Sequence, residues 1–350
     1  MIDLAKLDPN FAQPQADEQG IVYHGCLSEP FQVHGLMAPT EQTPFFHRMP
    51  REVAESVSEK VGILYRNSAG GRVRFRTNSS RIAVRVKFLE VTRCVHFSLL
   101  GTAGFDLYLD GKFKKPFLPP LDLEDGYTAV VELGENVMHD VLIHFPPYST
   151  VQTLEIGLDD DALVLPPKAY RVTTPVVYYG SSITHGSSAT RPGNSYPNVI
   201  SRRLDCDYTN LGFSGNALAE KEIADYVAGL SMSVFVYDYD HNSPNADFLR
   251  KTHEPMFRTV RERNPELPIV MLSRPRARFN DEEEAKRHEV VVETYEKAKA
   301  AGDKNVWFVD GAGILNIFGG DCGTVDCVHP NDLGFACMAK ALGDVLEKLL

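Results

Sequence analysis

A chain of 350 residues carries 36 Lys and Arg against 47 Asp and Glu, a formal net charge of −11, and 43% of its residues are hydrophobic. That balance describes a folded globular protein of about two domains, and net negative charge without a basic run argues against nucleic acid or an anionic membrane as its main partner. No apolar run approaches the roughly 18–20 residues needed to cross a bilayer.

The opening stretch, MIDLAKLDPNFAQPQADEQG, has neither the basic nor the apolar region of a secretory signal. A cytoplasmic location is therefore expected, with reduced thiols at the six cysteines, which form no paired CxxC array. Cys322 and Cys327 read as buried thiols rather than as half of a zinc site.

From about residue 20 to 165 the dominant hydrophobic period is two. Val73 and Phe75 alternate with Arg72, Arg74 and Arg76. After the turn TNSS, Ile82, Val84, Val86 and Phe88 share one face opposite Arg85 and Lys87. Phe105, Leu107 and Leu109 share a face before a turn at Asp110–Gly111, with Asp106 and Tyr108 on the other side. YTAVVEL, HDVLIHF and TLEIGL add short strands, and the set predicts an all-β sandwich or jelly roll. The pattern changes around LVLPPKAYRVTTP, a short, apolar, proline-containing connection that suits packed domains. Beyond it, the apolar strands PVVYYG, DYTNLGFSG, SVFVYDYD, LPIVMLS and VWFVDG alternate with helices expected near 194–205, 217–229, 246–263, 280–301 and 332–349. Strands apolar throughout and separated by helices predict a parallel sheet covered on both faces. The division falls at residues 1–168 and 169–350.

In such a sheet, functional groups gather beyond the carboxyl ends of the strands. The first strand ends in GSSITHG, with Ser181, Ser182 and His185. The second ends in NLGFSGN, with Asn210, Gly212 and Gly215. The third ends in DYDHNSP, with Asp240, His241 and Asn242, and the fourth in SRPRARF, with Arg274 and Arg276. Ahead of the last helix stands DCVHPND, with Asp326 three residues before His329. Taken alone, that last block also reads as a helix-entry turn with Asn331 as N-cap. A metal site seeded by Asp326 and His329 lacks a convincing third ligand.

The order of these blocks resembles that of the SGNH hydrolases, also called the GDSL esterases. The resemblance implies that Ser182, in the block Gly180–Gly186, is the nucleophile, and that Asp326 and His329 form the D-x-x-H block. It makes Gly215 and Asn242 oxyanion donors beside the Ser182 N–H. Ser181 stands where the family has Asp, and the third block lacks the usual Gly-x-Asn-Asp form. AGFDLYLDG is similar to the G-x-D-L-Y signature of a bacterial subfamily with an N-terminal β-domain, and FHRMP, RNSAG, SSITHGSSATRPGNSY and VHPNDLGF resemble it too.

The fold so implied is α/β: a flavodoxin-like three-layer hydrolase domain with a parallel sheet, preceded by a jelly-roll-like β-sandwich. The implied activity is a serine esterase that removes O-acyl groups, O-acetyl foremost, from carbohydrate, without metal or other cofactor. The expected partner is an acylated small molecule or oligosaccharide. The competing readings are a carbohydrate acyltransferase and a non-catalytic carbohydrate-binding protein. The chemistry suits the residues. A Ser hydroxyl is a poor nucleophile until a base takes its proton, His is the natural base near neutral pH, and a carboxylate at the other ring nitrogen fixes its tautomer. His241 and Arg191 are expected to touch substrate, and His185 to shape the pocket. Asp106 and Tyr108 are expected to meet substrate or the hydrolase domain.

Overall fold

The computed structural model describes residues 6–8, 17–276 and 281–350. Most of the opening stretch and the tail of SRPRARF lie outside the described residues. The N-terminal half holds β1 (Ile21–Gly25), β2 (Gln32–His34), α1 (Arg51–Val57), α2 (Val61–Leu64), β3 (Arg72–Thr77), β4 (Arg81–Glu90), α3 (Leu99–Ala103) and β5 (Phe105–Leu109). It continues with β6 (Lys112–Phe117), β7 (Gly126–Glu132), β8 (His139–His144), β9 (Thr150–Asp159) and β10 (Val164–Leu165). The C-terminal half runs β11 (Val172–Gly180), α4 (Ser182–His185), α5 (Tyr196–Leu204), β12 (Cys206–Gly212), α6 (Lys221–Ala228) and β13 (Val234–Asp238). After these come α7 (Ala246–Arg263), β14 (Ile269–Leu272), α8 (Glu282–Ala300), β15 (Val306–Val309) and α9 (Asp332–Leu346).

Two antiparallel sheets, ordered β1-β9-β4-β7 and β10-β3-β8-β5-β6 with β2 beside β3, make the sandwich. Alternation of side chains along a strand sends Val73, Phe75, Ile82, Val84, Phe105, Leu107, Ile143 and Ile156 into the space between them, where all are fully buried. The third sheet is parallel, in the order β12-β11-β13-β14-β15. Alternate residues of β11 serve opposite faces: Val176 and Tyr178 pack with Ile200, Phe335, Met338 and Leu342 of α5 and α9, whereas Val177 and Tyr179 pack with Ile223, Leu249, Met256 and Val291 of α6, α7 and α8. Burial on both faces is why these strands read as unbroken apolar runs. Asn245, Asp281 and Asn331 cap α7, α8 and α9 through side-chain oxygens that accept backbone N–H groups. Among the described residues no helix is long and apolar enough to cross a membrane.

Two features differ from the sequence expectation, and one narrows it. Phe45, Met49, Ala54, Val61 and Tyr65 join the α6–α8 side of the parallel sheet rather than the sandwich core, so α1 and α2 belong to the packing of the other half. Every residue of β5 is buried, on its polar face as well, because of the two partners expected for Asp106 and Tyr108 it is the hydrolase half, through its 191–202 region, that covers them. Cys322 and Cys327 are exposed rather than buried, on the loop between β15 and α9.

Buried guanidinium groups tie the halves together. Arg72 of β3, fully enclosed, donates to the Asp207 carboxylate, to the Tyr208 carbonyl at 3.0 Å and to the Tyr170 hydroxyl at 3.0 Å. Arg48, in the FHRMP block, donates to the carbonyls of Asn210 and Gly212 at the end of β12 and to Leu64 O. Residues 169–350 alone would lose Arg48 and the apolar cover of Phe45, Met49 and Tyr65. Expressed as a fragment, they should be insoluble or melt without a cooperative transition, whereas a sharp thermal unfolding transition would contradict this packing.

Candidate active site

Strand β11 pairs in parallel with both β12 and β13, setting Gly180 opposite Gly212 on one side and Asp238 on the other. The chain therefore leaves the sheet in three adjacent loops, at the point where the strand order reverses. The first begins α4, whose N-cap Ser181 accepts the Ile183 N–H at 3.2 Å and is fully buried. That capping is the local role of the hydroxyl standing where the family signature has Asp. Asn210 of β12 steadies the same turn, donating to Thr184 O at 2.7 Å and accepting Gly212 N–H at 2.9 Å.

Ser182 Oγ lies 3.0 Å from His329 Nε2. Asp326 Oδ1 accepts the backbone N–H groups of Val328 at 3.0 Å and His329 at 2.7 Å, while Oδ2 lies 2.7 Å from His329 Nδ1. The proton of a neutral imidazole then belongs on Nδ1, which leaves Nε2 as the acceptor facing the Ser182 hydroxyl. Burial pushes the Asp326 carboxyl up, but the His329 N–H, the His329 imidazole and the Val328 N–H outweigh it and hold its pKa below the usual carboxylate value. Asp326 is thus held in its carboxylate form.

Beneath this turn, Asp238 accepts from Thr184 Oγ1 and from Tyr196 OH at 3.1 Å. No Cβ fits at Gly180, where it would sit 1.8 Å from Asp238 Oδ1 and 2.1 Å from Thr184 Oγ1. Burial raises the Asp238 pKa to about 8 against the pull of the Thr184 and Tyr196 hydrogen bonds.

The second and third loops carry the other two expected donors. Phe213 N–H donates to Gly180 O at 2.8 Å, and Asn242 Nδ2 donates to Phe213 O at 3.0 Å. Asn242 therefore lies against the Gly215 loop and keeps one amide hydrogen free of that bond. Gly215 has φ +68° with nothing within 4 Å of an added Cβ, so its backbone faces open space. As the first residue of α4, Ser182 has no intrahelical acceptor for its own N–H.

Other residues singled out from the sequence have partners of their own. His185 is buried, donates from Nε2 to Pro147 O at 2.8 Å and stacks on Tyr148 with ring centroids 4.1 Å apart, so it holds the 147–148 segment. Asp106 does not meet a ligand surface: with no exposed area, it accepts Gly193 N–H at 2.7 Å and Arg191 Nη1 at 2.8 Å. Tyr108 OH accepts from the same Arg191 nitrogen at 2.7 Å, so Arg191 is spent on the contact between the halves. Burial, then the charges of Arg274 and Arg276, drive the His241 pKa well below its ordinary value and keep that imidazole neutral. Arg274 and Arg276 pair with Glu284 at 3.0 and 3.1 Å. Among the described residues no group of three His, Cys, Asp or Glu side chains is placed to hold a metal ion.

Four residues escaped the sequence reading. Arg48 braces β12, Asp238 supports α4, and Tyr148 reaches from the N-terminal half to Ser187 Oγ and, at 2.8 Å, Ser214 Oγ. His96 Nε2 lies 3.6 Å from Asp326 Oδ2.

Compared with known proteins, residues 173–347 match the model of the GDSL-like lipase/acylhydrolase family. The chain belongs to that family. As a member it is a carboxylic ester hydrolase, and residues 21–164 match the GxDLY model, the N-terminus of SGNH-hydrolase-type esterases. A solved GDSL-like lipase from Bacteroides ovatus is 28% identical, with a TM-score of 0.83 over 94% of this chain and 98% of that one. A salicylyl-acyltransferase from a tetracycline biosynthetic pathway shares the fold at 20% identity, with a TM-score of 0.78 over 96% and 98% of the two chains. So does an acetyl xylan esterase from the rumen bacterium Butyrivibrio proteoclasticus, at 13% identity and a TM-score of 0.59 over 94% and 98%. A comparison with curated proteins finds no match.

Asp238 sets a pH signature. Its carboxyl titrates near 8 in the fold and near ~3.9 when unfolded, so the native state alone holds the proton between those limits. The stability this contributes is complete at about pH 4 and lost as pH rises through about 8. Asp238→Asn, which cannot ionise, should flatten the fall in Tm between about pH 5 and 8, and an unchanged slope would contradict the assignment.

Proposed function

We propose that this acylhydrolase is a serine esterase that removes O-acyl groups, acetyl foremost, from carbohydrate. The observation that carries the reading is the unbroken chain from Ser182 Oγ to His329 Nε2 and from His329 Nδ1 to Asp326 Oδ2, at 3.0 and 2.7 Å. His329 takes the hydroxyl proton as Oγ attacks the ester carbonyl, and the Asp326 carboxylate stabilises the imidazolium that forms. The Ser182 N–H, the Gly215 N–H and the Asn242 amide face the developing oxyanion. Collapse returns the proton from His329 to the departing alcohol and leaves the acyl group on Ser182. Water, with His329 again as base, then releases the carboxylic acid.

The sugar preference is supported by the likeness in fold to carbohydrate esterases, including a family two carbohydrate esterase from Clostridium thermocellum solved in complex with cellohexaose. A second reading, transfer of the acyl group to an acceptor alcohol, is favoured by the fuller structural likeness to the acyltransferase. Both run through the same acyl-Ser182 and differ in what attacks it.

Release of acetate from acetylated xylo-oligosaccharides, followed by mass spectrometry, tests the proposal. Ser182→Ala and His329→Ala should each lower kcat by on the order of 10⁴-fold or more, with the double variant no worse than either. Asp326→Asn should leave more activity, and Asn242→Ala should cost about 10²–10³-fold. Wild-type turnover in Ser182→Ala would overturn the mechanism. Acyl transfer to an added sugar in preference to water would decide for the second reading.

A further inference from the structure

The N-terminal half reaches Asp326 through the loop 91–98. It is pinned at both ends: Thr92 Oγ1 donates to Tyr148 O at 2.8 Å, and Ser98 Oγ donates to Thr190 O at 3.0 Å. In between, the Phe97 ring packs 5.0 Å from the Tyr148 ring, and Tyr148 is itself bonded to Ser187 and Ser214 on the loops flanking Ser182. This anchoring presents His96 to Asp326, with Nε2 3.6 Å from Oδ2, the same oxygen that lies 2.7 Å from His329 Nδ1. The two imidazole centroids are 6.5 Å apart.

We propose that His96 is a positioning residue of the acyl-transfer site, a second imidazole on the Asp326 carboxylate through which the N-terminal half controls how readily His329 holds a proton. The inference rests on the Ser182–His329–Asp326 reading above. At 3.6 Å the contact is one of charge rather than a short hydrogen bond. A protonated His96 draws on the carboxylate that supports the His329 imidazolium and adds a like charge beside it. His329 then gives up its proton more easily and remains a free base to lower pH.

Asp326 stays a carboxylate. Cys94 Sγ lies 3.9 Å from His96 Nδ1. His241, which feels the His329 charge from the β13 loop, is kept neutral by burial and by Arg274 and Arg276. His96 is the imidazole that the loop 91–98 sets beside Asp326, on the oxygen that also faces His329.

The full-length chain and its His96→Gln and His96→Lys variants test this. The side chain is 44% exposed, so both substitutions should fold. The His329 imidazole is followed by NMR against pH, its signal identified by loss in His329→Gln, and the acid limb of kcat/KM is measured on p-nitrophenyl acetate. His96→Lys should titrate below His96→Gln by about half a pH unit, the size of one unit charge acting at 6.5 Å in a water-like dielectric. Wild type should lie between them with a two-step curve, and about 1 M salt should close the gap. Identical His329 midpoints in the Gln and Lys variants, with a single-step wild-type curve, would overturn the proposal. The NMR readout needs no turnover, so coupled titration without acyl release would sink the esterase reading while leaving the coupling of His96 to His329 established, and the two failures are told apart.

Discussion

No side chain fits at Gly180, and the rest of the site depends on that. With a Cβ there, Asp238 and Thr184 could not meet beneath the first turn of α4, and Ser182 would be lifted away from the sheet edge. Gly212 imposes the same condition from the neighbouring strand, since its Cβ would stand 2.3 Å from the His185 backbone nitrogen. Two bare strand ends side by side allow the loops of β11 and β12 to close on each other, with Phe213 N–H bonded to Gly180 O. The nucleophile turn is thus held from below by a buried carboxyl and from the side by backbone, and its hydroxyl faces His329.

The N-terminal half is built into this arrangement rather than appended to it. Arg48 puts its donors on carbonyls at the end of β12, Arg72 engages Asp207 at the strand's start, and Asp106 clamps Gly193 ahead of α5. Buried ionic groups of this kind add little net stability over an apolar packing, but removing one partner costs about 3–5 kcal/mol because the other is left unpaired. They therefore enforce one relative placement of the halves, and that placement brings Tyr148 and His96 to the loops around Ser182.

Much of this was legible in the sequence because the strands report their burial. Alternation in Val73–Phe75 and Ile82–Phe88 announced a sheet with one buried face, and the unbroken PVVYYG announced one buried on both. The helix expected at 246–263 is α7 to the residue, framed by Asn245 and by Asn264 with Pro265 beyond it. Ser182, Asp326 and His329 stood out because each lies in a compact block of turn formers at a strand end or ahead of a helix, and the structure brings those three together.

What was not legible depends on contacts between distant segments. Phe45–Tyr65 has no period that says which of two cores it joins. Asp106 and Tyr108 were readable as a polar face for substrate or the other half, but which of the two, and that Gly193 and Arg191 supply the contact, was not. His96 lies in TRCVHF, a loop without pattern, and only the anchoring of Thr92 and Ser98 carries it to Asp326. The account stands most directly on the reactivity of one hydroxyl. Treatment of the full chain with a fluorophosphonate, followed by peptide mass spectrometry, should place a single adduct on Ser182 and none in the His329→Ala variant, where the hydroxyl has lost its base. An adduct on another residue, or undiminished labelling without His329, would contradict it.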